Sequence, residues 1–153
     1  MSQKLLTNKF LSNISLGLEN MTEKSAIDMA GNLLWKNGYV EKEYITGMLK
    51  REEQQSTYIG YGIAIPHGTY ESHCYIKKSG ISILQFPKGI SYGNNRVYVM
   101  IGIACREEDV IQELMQITDL LSKEPLRNQL LSTESGQVWI DMINQNYEIE
   151  GRL

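Results

Sequence analysis

The stretch Gly62-Ile63-Ala64-Ile65-Pro66-His67-Gly68-Thr69 joins a short apolar run to a single histidine held between a proline and a glycine. The apolar residues read as a buried strand. Pro66 fixes φ and donates no hydrogen bond, and Gly68 lets backbone come close to a ligand. A strand that ends in this way presents an imidazole for chemistry, and His67 is the leading chemical residue.

Upstream of that strand, residues 54–61 read as a polar connection. Residues 41–53 form a helix by the spacing of Tyr44, Ile45, Met48 and Leu49, with Lys50 and Arg51 at its exit. A preceding helix over 23–36 has Thr22 as its cap, an apolar face of Ala26, Ile27, Ala30, Leu33 and Leu34, and Gly38 just past its end. Residues 13–18 alternate and predict a first strand. Downstream, a polar loop runs to Lys78, and strands return at 80–86 and 97–104. Between them Pro87-Lys88-Gly89 and Tyr92-Gly93-Asn94-Asn95 read as loops at the sheet edge. The last third predicts helices over 107–122, 125–131 and 134–143, then a polar tail over 144–153. Strands and helices in mixed order point to an α/β layered sandwich.

The chain has 153 residues, enough for one domain with a real core, here expected over about 11–143. Its 18 acidic and 15 basic side chains give a net charge of −3 without a basic block, which argues against nucleic acid as a partner. Cys74 and Cys105 fit neither a disulfide scaffold nor a zinc site, and a reducing, cytoplasmic setting is expected. No run approaches the ~18 apolar residues of a membrane span, so no direct membrane insertion is expected.

His67, Gly68, Thr69 and Arg51 together supply a nucleophile, close-approach backbone, a hydroxyl and a cation. Phosphoryl transfer needs those parts, because it depends on in-line positioning and on neutralising the equatorial oxygens. An imidazole, with a reference pKa of ~6.5, offers a neutral nitrogen nucleophile near neutral pH. No metal or cofactor is expected: His73 and Cys74 lack a ligand pattern and read as an exposed loop. Cys105 reads as packing, and Asp28 and Asp119 as solvent-facing or capping residues.

Arg51-Glu52, Ser56-Thr57-Tyr58-Ile59-Gly60 and the stretch ending in Pro66-His67-Gly68-Thr69 resemble the enzyme IIA domains of the bacterial sugar phosphotransferase system, mannitol and fructose branch. Gly38-Tyr39-Val40, Phe86-Pro87-Lys88-Gly89-Ile90 and Ile101-Gly102-Ile103-Ala104 extend the likeness to the mannitol type, over about residues 11–131. The resemblance implies a mixed β-sheet flanked by helices. It implies that His67 takes a phosphoryl group from the phosphocarrier HPr as a tele-phosphohistidine and passes it to a cysteine of an enzyme IIB domain. Arg51 matches the charge-stabilising arginine, with Thr57, Gly68 and Thr69 as further support of the phosphoryl site. Association with a membrane enzyme IIC would run through the complex, and Ile59, Tyr61 and Ile65 are expected near the docking surface.

One departure stands out. Mannitol-type members carry a second histidine where this chain has Val110, in Arg106-Glu107-Glu108-Asp109-Val110. Valine offers no hydrogen bond, and its spacing with Leu114, Ile117 and Leu121 places it on an apolar stripe. The neighbouring acids should repel a phosphoryl group. The alternative reading is therefore a regulatory enzyme IIA-like module with weak or lost transfer. A Val110→His change is expected to accelerate phosphorylation of an otherwise competent site.

Overall fold

The computed structural model describes residues 4–106 and 110–150, so the acids 107–109 lie outside the described residues. Five strands form one sheet: β1 (Ile14–Ser15), β2 (Tyr58–Gly60), β3 (Ile63–Ala64), β4 (Gly80–Tyr92) and β5 (Asn95–Ala104). Their order is β1-β4-β5-β3-β2. The β1–β4 and β3–β5 pairs are parallel and the β4–β5 and β2–β3 pairs antiparallel, so the sheet is mixed.

Alternation along β4 and β5 divides the core between the two sheet faces, as strand pleating requires. Leu84, Phe86, Met100 and Ala104 meet Ala26, Ala30, Leu34 and Met48 of helices α1 (Glu23–Lys36) and α2 (Glu43–Gln54). Ile81, Ile83, Val99 and Ile101 meet Ile117, Leu121, Leu130, Trp139 and Ile143 of α3 (Ile111–Ser122), α4 (Glu124–Ser132) and α5 (Gly136–Glu150). Two devices hold these layers in register. Ser82 Oγ donates to the Ala30 carbonyl over 2.9 Å, opposite Gly102, where any Cβ would lie 2.5 Å from that hydroxyl. On the other face the buried Gln85 amide donates to the carbonyls of Leu130 (2.6 Å) and Thr133 (3.0 Å).

Helix α1 has the expected bounds: Thr22 Oγ1 accepts from the Ser25 amide at its start. Several expectations need correction. The connection expected over 54–61 contains the strand β2, which pairs antiparallel with β3. Pro87-Lys88-Gly89 is not a loop between separate strands, because the long β4 absorbs it as a register shift between Gln85 and Ile90, with Gly89 at φ +74°. The turn proper is the two-residue Gly93-Asn94, with φ +60° at Gly93, the conformation a tight hairpin demands. The first strand is only Ile14–Ser15, because the chain leaves the sheet at Gly17 (φ +65°), whose amide donates to Gln85 Oε1 over 2.8 Å.

The expected tail is instead helical to Glu150 as part of α5. Its polar residues are used across the fold. Asn144 donates to the Leu6 carbonyl over 2.9 Å and accepts from the Leu6 amide over 2.7 Å, tying α5 to the N-terminal segment.

Candidate active site

His67 remains attached to the sheet beyond β3. Pro66 offers only a carbonyl to the ladder, and that carbonyl accepts from the Ile103 amide over 2.9 Å, so His67 forms a parallel bridge beside Ile103 of β5. Its half-buried ring has Nδ1 2.8 Å from the Ile65 carbonyl. A carbonyl only accepts, so Nδ1 carries the proton and, in the neutral ring, the lone pair sits on Nε2. The backbone two residues upstream thus selects the tautomer and the nucleophilic atom.

Tyr44 braces the loop from α2. Its buried hydroxyl accepts from the Gly68 amide over 2.8 Å and donates to the Ile103 carbonyl over 2.7 Å. Burial pushes the phenol up to about 12, and the Gly68 amide opposes that rise only in part. The Gly68 amide is therefore committed to the scaffold and is not a free phosphoryl donor. Glycine is required here for close approach: a Cβ at Gly68 would collide with Ser72 Oγ and the Tyr44 ring.

Thr69 starts a short 3₁₀ helix, Tyr70–Tyr75, where its Oγ1 accepts from the Ser72 amide over 3.3 Å. Ser72 Oγ donates back to the Thr69 carbonyl over 2.7 Å. The helix sits tightly on α2, for a Cβ at Gly47 would lie 2.5 Å from Ser72 Cβ. Arg51, in the last turn of α2, donates from Nη1 to the Gln55 carbonyl over 2.7 Å.

These elements enclose an open cavity of about 480 Å³ that brings Arg51, His67, Gly68 and Thr69 together with Gln54, Tyr70, Glu71 and His73. Thr57 lies outside that lining. It is 5 % exposed, with its hydroxyl donating to Glu52 Oε1 over 3.2 Å and lying 3.4 Å from Tyr92 Oη. Tyr92 also donates to Glu52, and burial raises the Tyr92 phenol well above its ordinary range, reinforced by that carboxylate. Thr57 therefore belongs to a network that fixes the start of β2.

Val110 is 4 % exposed within the apolar cluster of Ile117 and Leu121, and it lines a different cavity, with Leu6, Phe10 and Glu113. Of the residues expected at a docking surface, Ile59 and Tyr61 are exposed, Tyr61 in the left-handed region at φ +52°, while Ile65 packs against the core. Among the described residues no group of three His, Cys, Asp or Glu side chains could hold a metal ion, and no helix is long and apolar enough to cross a membrane.

Sequence reasoning set His73 aside as loop and did not single out Tyr70. The signal was available in Thr69-x-x-Ser72, a hydroxyl cap that starts a 3₁₀ turn. Residues three apart eclipse in such a turn, and the Tyr70 and His73 rings accordingly lie 5.7 Å apart.

Residues 9–146 match the family model "Phosphoenolpyruvate-dependent sugar phosphotransferase system, EIIA 2". The chain is 40% identical over 134 residues to the mannitol-specific phosphotransferase enzyme IIA component of Bacillus subtilis, covering 87% of this chain and 94% of that protein. It is 46% identical over 114 residues to the multiphosphoryl transfer protein of Haemophilus influenzae, covering 74% of this chain but 23% of that longer protein. The chain thus spans about a quarter or less of the longest relatives it matches. In structure it is similar to the enzyme IIA of mannitol from Escherichia coli, solved in complex with phosphorylated enzyme IIB of mannitol, with a TM-score of 0.79 and 35% identity over 88% of this chain and 95% of that one.

The match of the family model over residues 9–146 and the 40% identity to the B. subtilis protein show that the chain belongs to the EIIA 2 family of the phosphoenolpyruvate-dependent sugar phosphotransferase system. It is a phosphotransferase component of that system.

Proposed function

We propose that residues 1–153 act as one histidine phosphocarrier unit: Nε2 of His67 takes a phosphoryl group from HPr and delivers it to a cysteine of an enzyme IIB domain serving a mannitol- or fructose-type sugar. The observation that carries the reading is the 2.8 Å contact of Nδ1 with the Ile65 carbonyl, which leaves Nε2 as the lone-pair nitrogen of a ring that lines one cavity with Arg51. Nε2 attacks phosphorus as the P–N bond to the HPr imidazole breaks, and the electron pair of that bond returns to HPr. The proton stays on Nδ1, and the Ile65 carbonyl disperses the positive charge the ring acquires. Arg51 offers its guanidinium to the phosphoryl oxygens, where a planar fork suits the oxygen geometry. In the onward step the IIB thiolate forms a P–S bond, the P–Nε2 bond breaks, and His67 regains its neutral tautomer. The E. coli relative's complex with phosphorylated enzyme IIB supports that second partner. A cytoplasmic site of action follows from the two protein partners.

The test is intact mass after incubation with phosphoenolpyruvate, enzyme I and HPr. The parent is expected to gain one acid-labile phosphoryl group and His67→Ala none. A parent that stays unmodified while HPr is phosphorylated would refute the assignment.

A further inference from the structure

His73 lines the same cavity as His67 and Arg51. It stands exposed on the 3₁₀ helix that starts immediately after the Gly68-Thr69 turn, and three observations fix that helix. Thr69 and Ser72 exchange hydrogen bonds, Ser72 packs on Gly47 of the helix that carries Arg51, and the Ile76 amide donates to the His73 carbonyl over 3.0 Å. The His73 ring is steadied by Tyr70 at 5.7 Å and 47°. Among the described residues neither of its ring nitrogens is hydrogen-bonded, and the molecule has only one other histidine. The groups that line the cavity with it are Arg51 and Gln54 from α2, His67 from the strand end, Thr69 at the turn, and Tyr70 and Glu71 from its own helix, of which Tyr70 is in ring contact with it.

A phosphoryl group on His67 brings a charge of about −2 into this cavity. Arg51 supplies one positive charge and Glu71 opposes it. Gln54, Thr69 and Tyr70 line the cavity with neutral donors, whereas the His73 imidazole can also take up a positive charge, and a phosphoryl anion next to an imidazole favours its protonated, doubly donating form. Resting on the phosphocarrier reading above, we infer that His73 is a second catalytic imidazole of this site, donating an N–H to the phosphoryl group held on His67.

His73→Ala and His73→Gln separate the role from packing, since the exposed site tolerates both and glutamine keeps an N–H donor. Transfer from phospho-HPr is expected to fall roughly 3- to 10-fold in His73→Ala, with partial recovery in His73→Gln. The second readout uses phosphoramidate, which phosphorylates histidine without a protein partner: a P–Nε2 bond forms, the P–N bond of the reagent breaks, and ammonia leaves. By NMR the titration midpoint of the His73 ring is expected to move to higher pH when His67 carries phosphate, and to stay put in reagent-treated His67→Ala. An unchanged midpoint together with a parent-like rate in His73→Ala overturns the role of His73 and leaves the phosphocarrier reading intact. Failure of His67 to take phosphate from either donor overturns both.

Discussion

Tyr44 accepts the amide hydrogen of Gly68 through its hydroxyl over 2.8 Å, and the same hydroxyl donates to the Ile103 carbonyl over 2.7 Å. One phenol thereby links α2, the histidine loop and the sheet. Tyr44→Phe leaves a buried donor and a buried acceptor unpaired and is expected to cost about 1–3 kcal/mol for each, read as a lower urea midpoint. Phosphorylation of His67 should slow as well, because the loop loses its brace. No loss of stability would show that the loop holds itself.

The raised Tyr44 phenol also carries a pH signature. Its folded value of about 12 lies above the ordinary 10, so the fold favours the neutral form. That stability is complete below pH 10 and is lost as pH rises through 12. Between those limits the parent should lose stability faster than Tyr44→Phe. Parallel curves for the two proteins in that window would contradict the assignment.

Arg51 sits partly exposed, held by its bond to the Gln55 carbonyl. Arg51→Ala is therefore expected to leave folding nearly unchanged while lowering the rate of phosphoryl uptake roughly 10- to 100-fold, as for a lost charge-assisted hydrogen bond. Arg51→Lys should fall between, since an ammonium keeps the charge without the fork. Stopped-flow rates with phospho-HPr decide the matter: a parent-like rate in Arg51→Ala removes the arginine from the site.

Thr57 is bound into the Glu52–Tyr92 network, away from the cavity of His67. Thr57→Val is expected to cost about 0.5–1.5 kcal/mol of stability with little change in the rate of phosphorylation. A large loss of rate at unchanged stability would return Thr57 to the phosphoryl site.

The contrast between Thr57 and α1 shows what the sequence could carry. Helix α1 was legible because its cap, its apolar stripe and its exit are all local, within Thr22 to Gly38. That Arg51, His67, Gly68 and Thr69 come to one cavity agrees with the grouping that residue type and order suggest. The roles of Gly68 and Thr57 were not, because their partners Tyr44 and Tyr92 lie 24 and 35 residues away. Pro87-Lys88-Gly89 reads as a turn by local chemistry, yet the pairing of β4 with β5 on both sides of it makes a bulge. Asn144 reads as tail because its partner, Leu6, lies 138 residues away.

Val110→His now has a different expected outcome. An imidazole placed among Ile117 and Leu121 loses apolar packing and buries a polar ring, so stability should fall by about 1–3 kcal/mol. With His73 as the second imidazole, no gain in phosphorylation rate is expected. A faster rate would show that a side chain at 110 reaches His67 after all.

The most direct measurement is long-range proton–nitrogen NMR on the histidine-labelled protein after loading from phospho-HPr, which reports which ring nitrogen carries phosphorus. The hydrogen bond from Nδ1 to the Ile65 carbonyl predicts phosphorus on Nε2 of His67, with Nδ1 still protonated. Phosphorus on Nδ1, or on His73, would contradict the account.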